Sequence, residues 1–317
     1  MTTTRILITG ATGFVGSHLA DYLTAIPTYE VWGTRRRRSD TSNLQAPIDL
    51  LDCELTDPIS VDSVLQASRP DFIFHLAAQS FVPDSHSAPH HTIAVNLLGT
   101  LNLLVAVLNR CPEAKVLVAG SSEEYGIVHP HECPIKEYQP LRPVSPYGVS
   151  KAAMELLAQQ FHASYGLHIV TTRAFNHTGP RRGEQFVTSS LAKQVAQIEA
   201  GKRKPLVHVG NLEAKRDWTD VRDMVRAYHL GLCDCAPAEP YNICSAHAHS
   251  IADILRILQQ NATAKFTTEV DGDRLRPSDI PLLLGSHEKF TKATHWQPVI
   301  PFNETIVDLL EYWRKRV

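Results

Sequence analysis

The segment Arg5-Ile-Leu-Ile-Thr-Gly-Ala-Thr-Gly-Phe-Val-Gly16 decides the fold of this chain. Its first five residues form an apolar run typical of a buried strand, and its three glycines stand at G-x-x-G-x-x-G spacing before a helical pattern. Glycines at such a turn permit a tight bend and a close approach of the backbone to a pyrophosphate at the helix N-terminus. The simpler alternative is a plain glycine turn between a strand and a helix.

Strand-like and helix-like segments alternate from this point through the first half of the chain. Runs typical of buried strands include residues 5–9, 30–33, 72–76, 115–119 and 169–172. Helical periodicity covers residues 14–24, 59–67, 92–109 and 147–165. This alternation predicts an α/β fold with a doubly wound parallel Rossmann sheet, whose ligands bind at the carboxyl ends of the strands.

Beyond about residue 176 the alternation fails, and we expect loop-rich stretches and irregular helices before an amphipathic helix at about 303–315. Residues 1–175 are expected to form a dinucleotide-binding domain. Residues 176–317 are expected to form mainly a smaller C-terminal substrate-binding lobe. Tyr241–Cys244 is predicted to return one strand to the sheet, within a region of about 220–245.

The 317 residues have a formal net charge of -2, with 43% hydrophobic and 20% charged residues. This ordinary composition supports a full core and gives no general attraction to nucleic acid or anionic membranes. From the sequence we expect no apolar stretch long enough to span a bilayer, and we find no signal-peptide pattern before the first strand. The six cysteines lack a paired C-x-x-C spacing. We therefore expect a cytoplasmic protein with reduced thiols and, because the paired histidines lack a third ligand, no metal site.

The second strand ends at Gly33-Thr-Arg-Arg-Arg-Arg38, where an NAD-binding sheet usually places an acidic residue on the ribose 2′-hydroxyl. Guanidiniums suit a 2′-phosphate instead, so NADP(H) is the expected cofactor and NAD(H) the alternative. The alternative is that these arginines form a solvent-exposed basic loop that has no role in binding. The residues expected to bind the cofactor are Gly10, Thr12, Gly13, Phe14, Val15, Gly16, Arg35, Arg36, Glu54, Leu55, Leu76, Ala77, Ala78, Tyr147 and Lys151.

Tyr147-Gly-Val-Ser-Lys151 places a phenol and an ammonium one helical turn apart. A phenol has an unperturbed pKa of about 10, and a neighbouring ammonium favours its ionised form. The pair is therefore predicted to exchange a proton with a carbonyl or carbinol. Ser121 follows the strand at 115–119, so it is predicted to reach the same edge of the sheet. Without such a setting, two exposed helix residues would be the simpler interpretation.

These motifs, in this order over nearly the whole chain, resemble the extended short-chain dehydrogenase/reductase family, which includes nucleotide-sugar epimerases, dehydratases and reductases. The resemblance implies that Ser121 orients the reacting oxygen and that Tyr147 transfers the proton. It implies that Lys151 lowers the pKa of Tyr147 and holds the nicotinamide ribose, and that Asn96 supports the active-site helix. A homodimer paired through two helices is a further implication.

Segments of the second half resemble the branch of this family that acts on GDP-sugars. Separated arginine and lysine side chains can neutralise a diphosphate, and an asparagine amide can bridge it. Taken singly, such residues are more often surface ion-pair partners. The residues expected to bind the substrate are Ser122, Glu123, Asn176, Val187, Lys193, Arg216 and Arg276.

Two reactions of that branch fit the motifs, and the resemblance implies the same catalytic residues for both: Ser121, Glu123, Tyr147 and Lys151. The favoured one is NADPH-dependent reduction of the C4 ketone of GDP-4-keto-6-deoxy-D-mannose to GDP-D-rhamnose, with Tyr147 protonating the alkoxide. The other is 4,6-dehydration of GDP-mannose, in which Glu123 would remove the C5 proton. In a reductase the same carboxylate would hold a sugar hydroxyl. A redox-inactive nucleotide-binding protein on the same fold is the third interpretation.

Overall fold

Strands and helices alternate along most of the chain in a computed structural model that describes residues 3–272 and 281–317. The strands are β1 (Thr4–Thr9), β2 (Tyr29–Arg35), β3 (Asp49–Asp52), β4 (Phe72–His75), β5 (Lys115–Ala119), β6 (Ile169–Ala174), β7 (Asn176–Thr178), β8 (Leu206–Val209), β9 (Lys215–Asp220), β10 (Pro240–Ile243), β11 (Ala248–Ser250), β12 (Thr267–Val270) and β13 (Leu282–Leu283). The helices are α1 (Phe14–Thr24), α2 (Pro58–Ser68), α3 (Val82–Ser87), α4 (Pro89–Ile93), α5 (Gly99–Arg110), α6 (Pro146–Tyr165), α7 (Val187–Glu199), α8 (Val221–Asp234), α9 (Ile251–Asn261), α10 (Glu288–Thr294) and α11 (Phe302–Arg314).

A seven-stranded parallel sheet forms the centre of the molecule, in the order β10-β6-β5-β4-β1-β2-β3. The chain runs outward from β1 to β3, then crosses back and runs outward through β4, β5 and β6. This reversal makes β1 and β4 the switch point of a doubly wound sheet, where ligands of such folds bind. The predicted α/β fold is confirmed.

Both faces of the sheet are covered, which explains why its strands are almost continuously apolar. Successive side chains of a strand point to opposite faces. Ile6 and Ile8 therefore pack in one core with residues of α1 and α8. Leu7 packs in the other core, with residues of α2, α5 and α6.

A helical segment from Pro89 to Arg110 is long and apolar enough to cross a membrane, contrary to the expectation from the sequence. It is also interrupted: α4 and α5 are joined by a π-helical turn at Ala94–Leu98. In the fold this segment packs against the sheet, with Leu104 and Val107 in one core and the polar Asn96 fully buried. Apolar helices of this kind are ordinary in the cores of globular proteins.

The second half of the chain is more regular than predicted. Strand β9 pairs with β7, β11 and β13 in one small sheet, and β8 pairs with β12 in another. Helices α7, α9 and α11 enclose a separate apolar core that includes Leu191, Leu255 and Leu309. The expectation of loop-rich structure was wrong because these strands have only two to six residues, too few to show a pattern.

The chain returns to the large sheet after the second lobe has begun. Strand β10 pairs in parallel with β6, in the region of the predicted strand 241–244. Helix α8, which precedes β10, packs against α1. Residues 221–243 thus extend the sheet and its helical cover.

Candidate active site

A cleft of about 1150 Å³ opens at the carboxyl edge of the large sheet and extends toward the second lobe. Both the first glycine loop and the residues after β4 and β5 line it. Of the residues predicted to bind cofactor or substrate, or to act in catalysis, those that line this cleft are Gly10, Thr12, Gly13, Phe14, Val15, Gly16, Arg35, Arg36, Glu54, Leu55, Leu76, Ala77, Ala78, Ser121, Ser122, Glu123, Tyr147, Lys151, Asn176, Val187 and Arg216.

The glycine loop forms an open cradle at the start of α1. Gly10 has a φ of +70°, and a Cβ on Gly16 would lie 2.2 Å from the Gly10 carbonyl oxygen, so both positions require glycine. Gly13 caps α1 without a side-chain hydrogen bond, and the first turn contains no acidic residue. The N–H groups at this helix end are therefore available to an anion such as a pyrophosphate.

The loop after β4 is held beside this cradle by a buried hydroxyl. Thr9 Oγ1 accepts hydrogen bonds from the backbone N–H groups of Leu76 and Ala77, each at 3.1 Å. Thr9 Oγ1 also lies 2.9 Å from His75 Nδ1, and burial lowers the pKa of His75 to about 3, so this imidazole is neutral. The backbone after β4, with alanine at 77 and 78, thus stays close to the glycine turn.

Four consecutive arginines begin at the last residue of β2, and two of them, Arg35 and Arg36, line the cleft. Arg35 forms an ion pair with Asp52 at the end of β3, at 3.0 Å. Arg36 has its backbone N–H bonded to Ser39, and within the described part of the chain its guanidinium has no carboxylate partner. Arg36 is therefore the guanidinium better placed to neutralise a phosphate on a bound ligand.

Ser121, Tyr147 and Lys151 come together at the end of β5. Ser121 caps a short 3₁₀ turn, and Tyr147 and Lys151 lie in the first turns of α6. Lys151 Nζ donates to the Ala119 carbonyl at 2.6 Å and lies 5.9 Å from the centre of the Tyr147 ring. Tyr147 is hydrogen-bonded to the Ser121 side chain. The three side chains predicted to take part in proton transfer thus lie close together.

The electrostatics of this centre differ from the expectation. Burial raises the pKa of Tyr147, the hydrogen bond from Ser121 opposes this change, and the Glu123 carboxylate adds to it. The prediction that Tyr147 has a lowered pKa was therefore wrong, because removal from water outweighs any nearby cation. Burial also lowers the pKa of Lys151 to about 8. At neutral pH the phenol retains its proton and is a donor.

A chain of buried hydrogen bonds supports the active-site helix. Asn96, presented by the π-helical turn, donates to the Ser150 hydroxyl at 2.9 Å. Ser150 in turn donates to the Tyr147 carbonyl at 2.7 Å. Asn96 also binds the backbone of Gln79 through both atoms of its amide. It thus connects the loop after β4 with the backbone that carries Tyr147.

The second-lobe residues are placed unequally. Asn176 begins β7, Val187 begins α7 and Arg216 lies on β9, and all three line the cleft. Lys193 does not line it: its ammonium is paired with Glu184 and lies 5.1 Å from the centre of the Trp313 ring. Arg276 lies outside the described residues. Arg216 thus lies at the cleft, whereas Lys193 is engaged within its own lobe.

Two further residues of the cleft were not predicted. The Arg182 guanidinium lies 3.5 Å from the centre of the Phe186 ring and 4.9 Å from that of Phe14, and burial lowers its pKa to about 10. The His177 ring stacks on Phe14 at 6.0 Å, and burial lowers the pKa of His177 to about 4. The sequence could have indicated Arg182, because the Arg181-Arg182 pair follows Gly-Pro and basic residues beside glycine suit anion sites.

A glycine turn at the switch point and a serine, tyrosine and lysine at the same edge of the sheet fit one class of enzyme: this chain is an NAD(P)-dependent oxidoreductase of the extended short-chain dehydrogenase/reductase type. More narrowly, the chain belongs to the GDP-mannose 4,6 dehydratase family, whose model matches residues 7–309.

The relatives of this chain include both reductases and dehydratases. GDP-6-deoxy-D-mannose reductase of Pseudomonas aeruginosa is 33% identical over 315 residues, which cover 99% of each chain. GDP-mannose 4,6-dehydratase of Vibrio cholerae is 31% identical, over 96% of this chain and 92% of that one. The structure of RMD from Pseudomonas aeruginosa complexed with NADPH matches with a TM-score of 0.87 at 32% identity, covering 99% of this chain and 100% of that one. The predicted family membership is confirmed.

Proposed function

We propose that this enzyme uses NADPH to reduce the C4 ketone of GDP-4-keto-6-deoxy-D-mannose, giving GDP-D-rhamnose. The observation that carries the proposal is the end-to-end match, over 99% of both chains, with GDP-6-deoxy-D-mannose reductase. Two features of the cleft support it. Arg36 offers a guanidinium that has no carboxylate partner among the described residues and suits a 2′-phosphate, and Arg216 brings a second guanidinium to the cleft for the diphosphate of a nucleotide sugar.

The residues of the cleft have distinct roles in this reaction. When bound on the glycine loop, NADPH supplies the hydride. Tyr147 holds its proton at neutral pH, because burial raises its pKa, and donates it to the oxygen at C4. Ser121 hydrogen-bonds the same oxygen and orients it. The Lys151 ammonium then stabilises the tyrosinate that remains.

Dehydration of GDP-mannose is the second candidate, and one observation favours it. Glu123 lines the same cleft as Tyr147 and Ser121, so a carboxylate is available to remove a proton from C5 of a sugar. In the reductase the same carboxylate holds a sugar hydroxyl. Substitution Glu123→Gln separates the two roles, because it would abolish dehydration and leave much of the reduction intact.

The deciding experiment incubates the enzyme with each substrate in turn. With GDP-4-keto-6-deoxy-D-mannose, we expect one NADPH to be oxidised for each sugar reduced, measured by the NADPH absorbance and by product mass. With GDP-mannose and NADP⁺, we expect no change. Loss of one water from GDP-mannose without net NADPH consumption would refute the reductase proposal. Tight NADPH binding without turnover of either sugar would refute both reactions.

We further propose that two copies of the chain pair through α5 and α6. These neighbouring helices expose apolar side chains, with Val105 at 42%, Val149 at 46% and Leu156 at 60% exposure. A second copy would cover them, which also explains the high apolarity of the α5 segment. Light scattering should give a dimer, and Leu156→Glu should give a monomer. The control is Ile59→Glu, which changes an exposed apolar residue of α2 and should leave the dimer intact.

The cytoplasm is the location that we propose for this reaction. All six cysteines are free thiols, three of them buried, as a reducing compartment would maintain them.

A further inference from the structure

A group of buried, charged side chains contacts the loop that carries Ser121. The reaction described above does not use this group. Glu124, which follows the cleft residue Glu123, is completely buried at 0% exposure. Glu155 of α6 and Arg173 of β6 are also buried, at 3% and 4% exposure. Buried carboxylates are costly unless each has a partner, so this group contains two carboxylates that need one.

The hydrogen bonds of Arg173 go to groups other than Glu124, whose carboxylate is a more distant ion-pair partner at 3.7 Å. Its Nε and one terminal nitrogen donate to the two oxygens of Glu155, at 2.9 and 2.6 Å. Its other terminal nitrogen donates to the Tyr125 hydroxyl at 3.0 Å and to the Glu137 carbonyl at 2.9 Å. The charges of Arg173 and Glu155 therefore balance each other, and Glu124 is left as the second carboxylate.

Glu124 is pressed against the catalytic loop. Its Oε1 accepts a hydrogen bond from the Ser121 N–H at 2.6 Å. A Cβ on Gly120 would lie 2.5 Å from the same oxygen and 2.4 Å from the Thr172 backbone carbonyl oxygen, so glycine is required there. Its Oε2 lies 3.7 Å from Arg173 Nε and has no hydrogen-bond partner. One oxygen thus fixes Ser121, and the other is held in the interior without a donor.

Among the buried cations of the described residues, Lys151 is the one without a carboxylate in direct contact, and it binds the same stretch of backbone as Glu124, since the Ala119 carbonyl lies two residues before the Ser121 N–H. It is 3% exposed, its Nζ donates to the Ala119 carbonyl, and across residues 3–272 and 281–317 it makes no direct ion pair. Burial lowers the pKa of Lys151, and Glu124 is the carboxylate whose charge opposes that change. Conversely, burial and the charge of Glu155 raise the pKa of Glu124, and the charges of Arg173 and Lys151 oppose this.

We propose that Glu124 is the buried countercharge of Lys151, a positioning residue that keeps the ammonium protonated beneath Tyr147 and so sets the upper pH limit of the reaction. The inference rests on the proposed Tyr147–Lys151 chemistry. The titratable or charged groups that face Lys151 are Glu124, Tyr147 and His75, and those that face Glu124 are Glu155, Arg173, Lys151 and Tyr147. As pH rises, Glu124 ionises and its charge retains the proton on Lys151, so the two groups titrate as a pair.

Substitution Glu124→Gln tests this directly. The amide keeps the shape and the acceptor for the Ser121 N–H but removes the charge. The alkaline limb of the kcat profile should move to lower pH by about one unit, the usual effect of losing a nearby opposite charge. Activity near pH 6 should be largely retained. If the kcat profile of Glu124→Gln keeps the wild-type alkaline limb, the proposal is overturned and Glu124 has only a structural role.

The matched control is Glu132→Gln. Glu132 also closes a 3₁₀ turn, where it accepts from the His129 N–H at 2.7 Å and pairs with Arg142. The alkaline limb of the kcat profile of Glu132→Gln should coincide with that of the wild-type enzyme. If it moves as far as that of the Glu124 variant, the effect belongs to loss of a turn and the proposal fails.

A second measurement does not depend on turnover, and it does not require a folded Glu124 variant. Infrared titration of the wild-type protein should show a buried protonated carboxyl that ionises at alkaline pH. In Lys151→Met that ionisation should move to higher pH by about one unit, because the cation that favours the carboxylate is gone. An unchanged ionisation would overturn the proposal. Because this titration needs no sugar substrate, it separates failure of the inference from failure of the proposed reaction.

Discussion

Replacing Gly16 with alanine would place a methyl group inside the turn that forms the cofactor cradle. The added Cβ would lie 2.2 Å from the Gly10 carbonyl oxygen and 2.9 Å from the Ala11 Cα. Both neighbours are backbone atoms, which cannot rotate away as a side chain could. Ordinary contact begins at 3.4 Å, so the turn and the start of α1 must separate by roughly 1 Å.

A displacement of this size at a binding site costs about 100-fold in function. We expect the Kd for NADPH to rise by about that factor, equivalent to about 2.7 kcal/mol of binding free energy. The assay is titration of NADPH fluorescence, with thermal denaturation of the same sample as a measure of folding. A Kd within about threefold of the wild-type value in a folded Gly16→Ala protein would refute the assignment of this turn as the cradle.

Gly231→Ala is the matched control. Gly231 lies inside α8, and a Cβ there would meet its nearest atoms at 3.4 to 3.8 Å, which is ordinary contact. This variant should bind NADPH with wild-type affinity. It should also be more stable by about 0.5–1 kcal/mol, because alanine favours a helix over glycine.

Three further predictions concern the same cleft. Tyr147→Phe should lower kcat by about 10²–10⁴-fold, since the proton donor is lost; Tyr138→Phe, at an 83% exposed residue, should leave kcat unchanged. Arg36→Ser should raise the Kd for NADPH by about tenfold and leave that for NADH unaltered, and equal effects on both would argue against a 2′-phosphate contact. Activity should fall as pH rises through about 8, because burial lowers the pKa of Lys151 to that value and its charged form is required; a rate that stays constant well above that pH would contradict this role.

The large sheet could be predicted because its signals are local. The strand, glycine turn and helix of residues 5–24 are contiguous, and each later unit repeats the same short pattern. Parallel strands end at one edge, so Ser121 and the residues after β4 follow from their places in the chain alone. The Tyr147–Lys151 spacing required only the geometry of a helix.

The second lobe could not be predicted in the same way, because its pairing is distant in sequence. Strand β9 contacts β7, β11 and β13, which come from residues 176–178, 248–250 and 282–283. These pairings decide whether a basic residue of the second lobe faces the cleft. The sequence alone therefore did not distinguish Arg216, which lines the cleft, from Lys193, which does not. The raised pKa of Tyr147 was missed for a related reason, since burial is a property of the assembled fold.

Strand β10 has a consequence for how the protein is made. Until residues beyond Ile243 have been synthesised, β6 is the edge of the large sheet, and its six residues Ile169–Ala174, all buried in the finished molecule, present unpaired backbone groups. The nascent chain must hold this edge while much of the second lobe is still being made. A chain shortened at about residue 175 would keep every residue predicted to bind the cofactor. It would nevertheless tend to aggregate along β6 and would not behave as an independent cofactor-binding module.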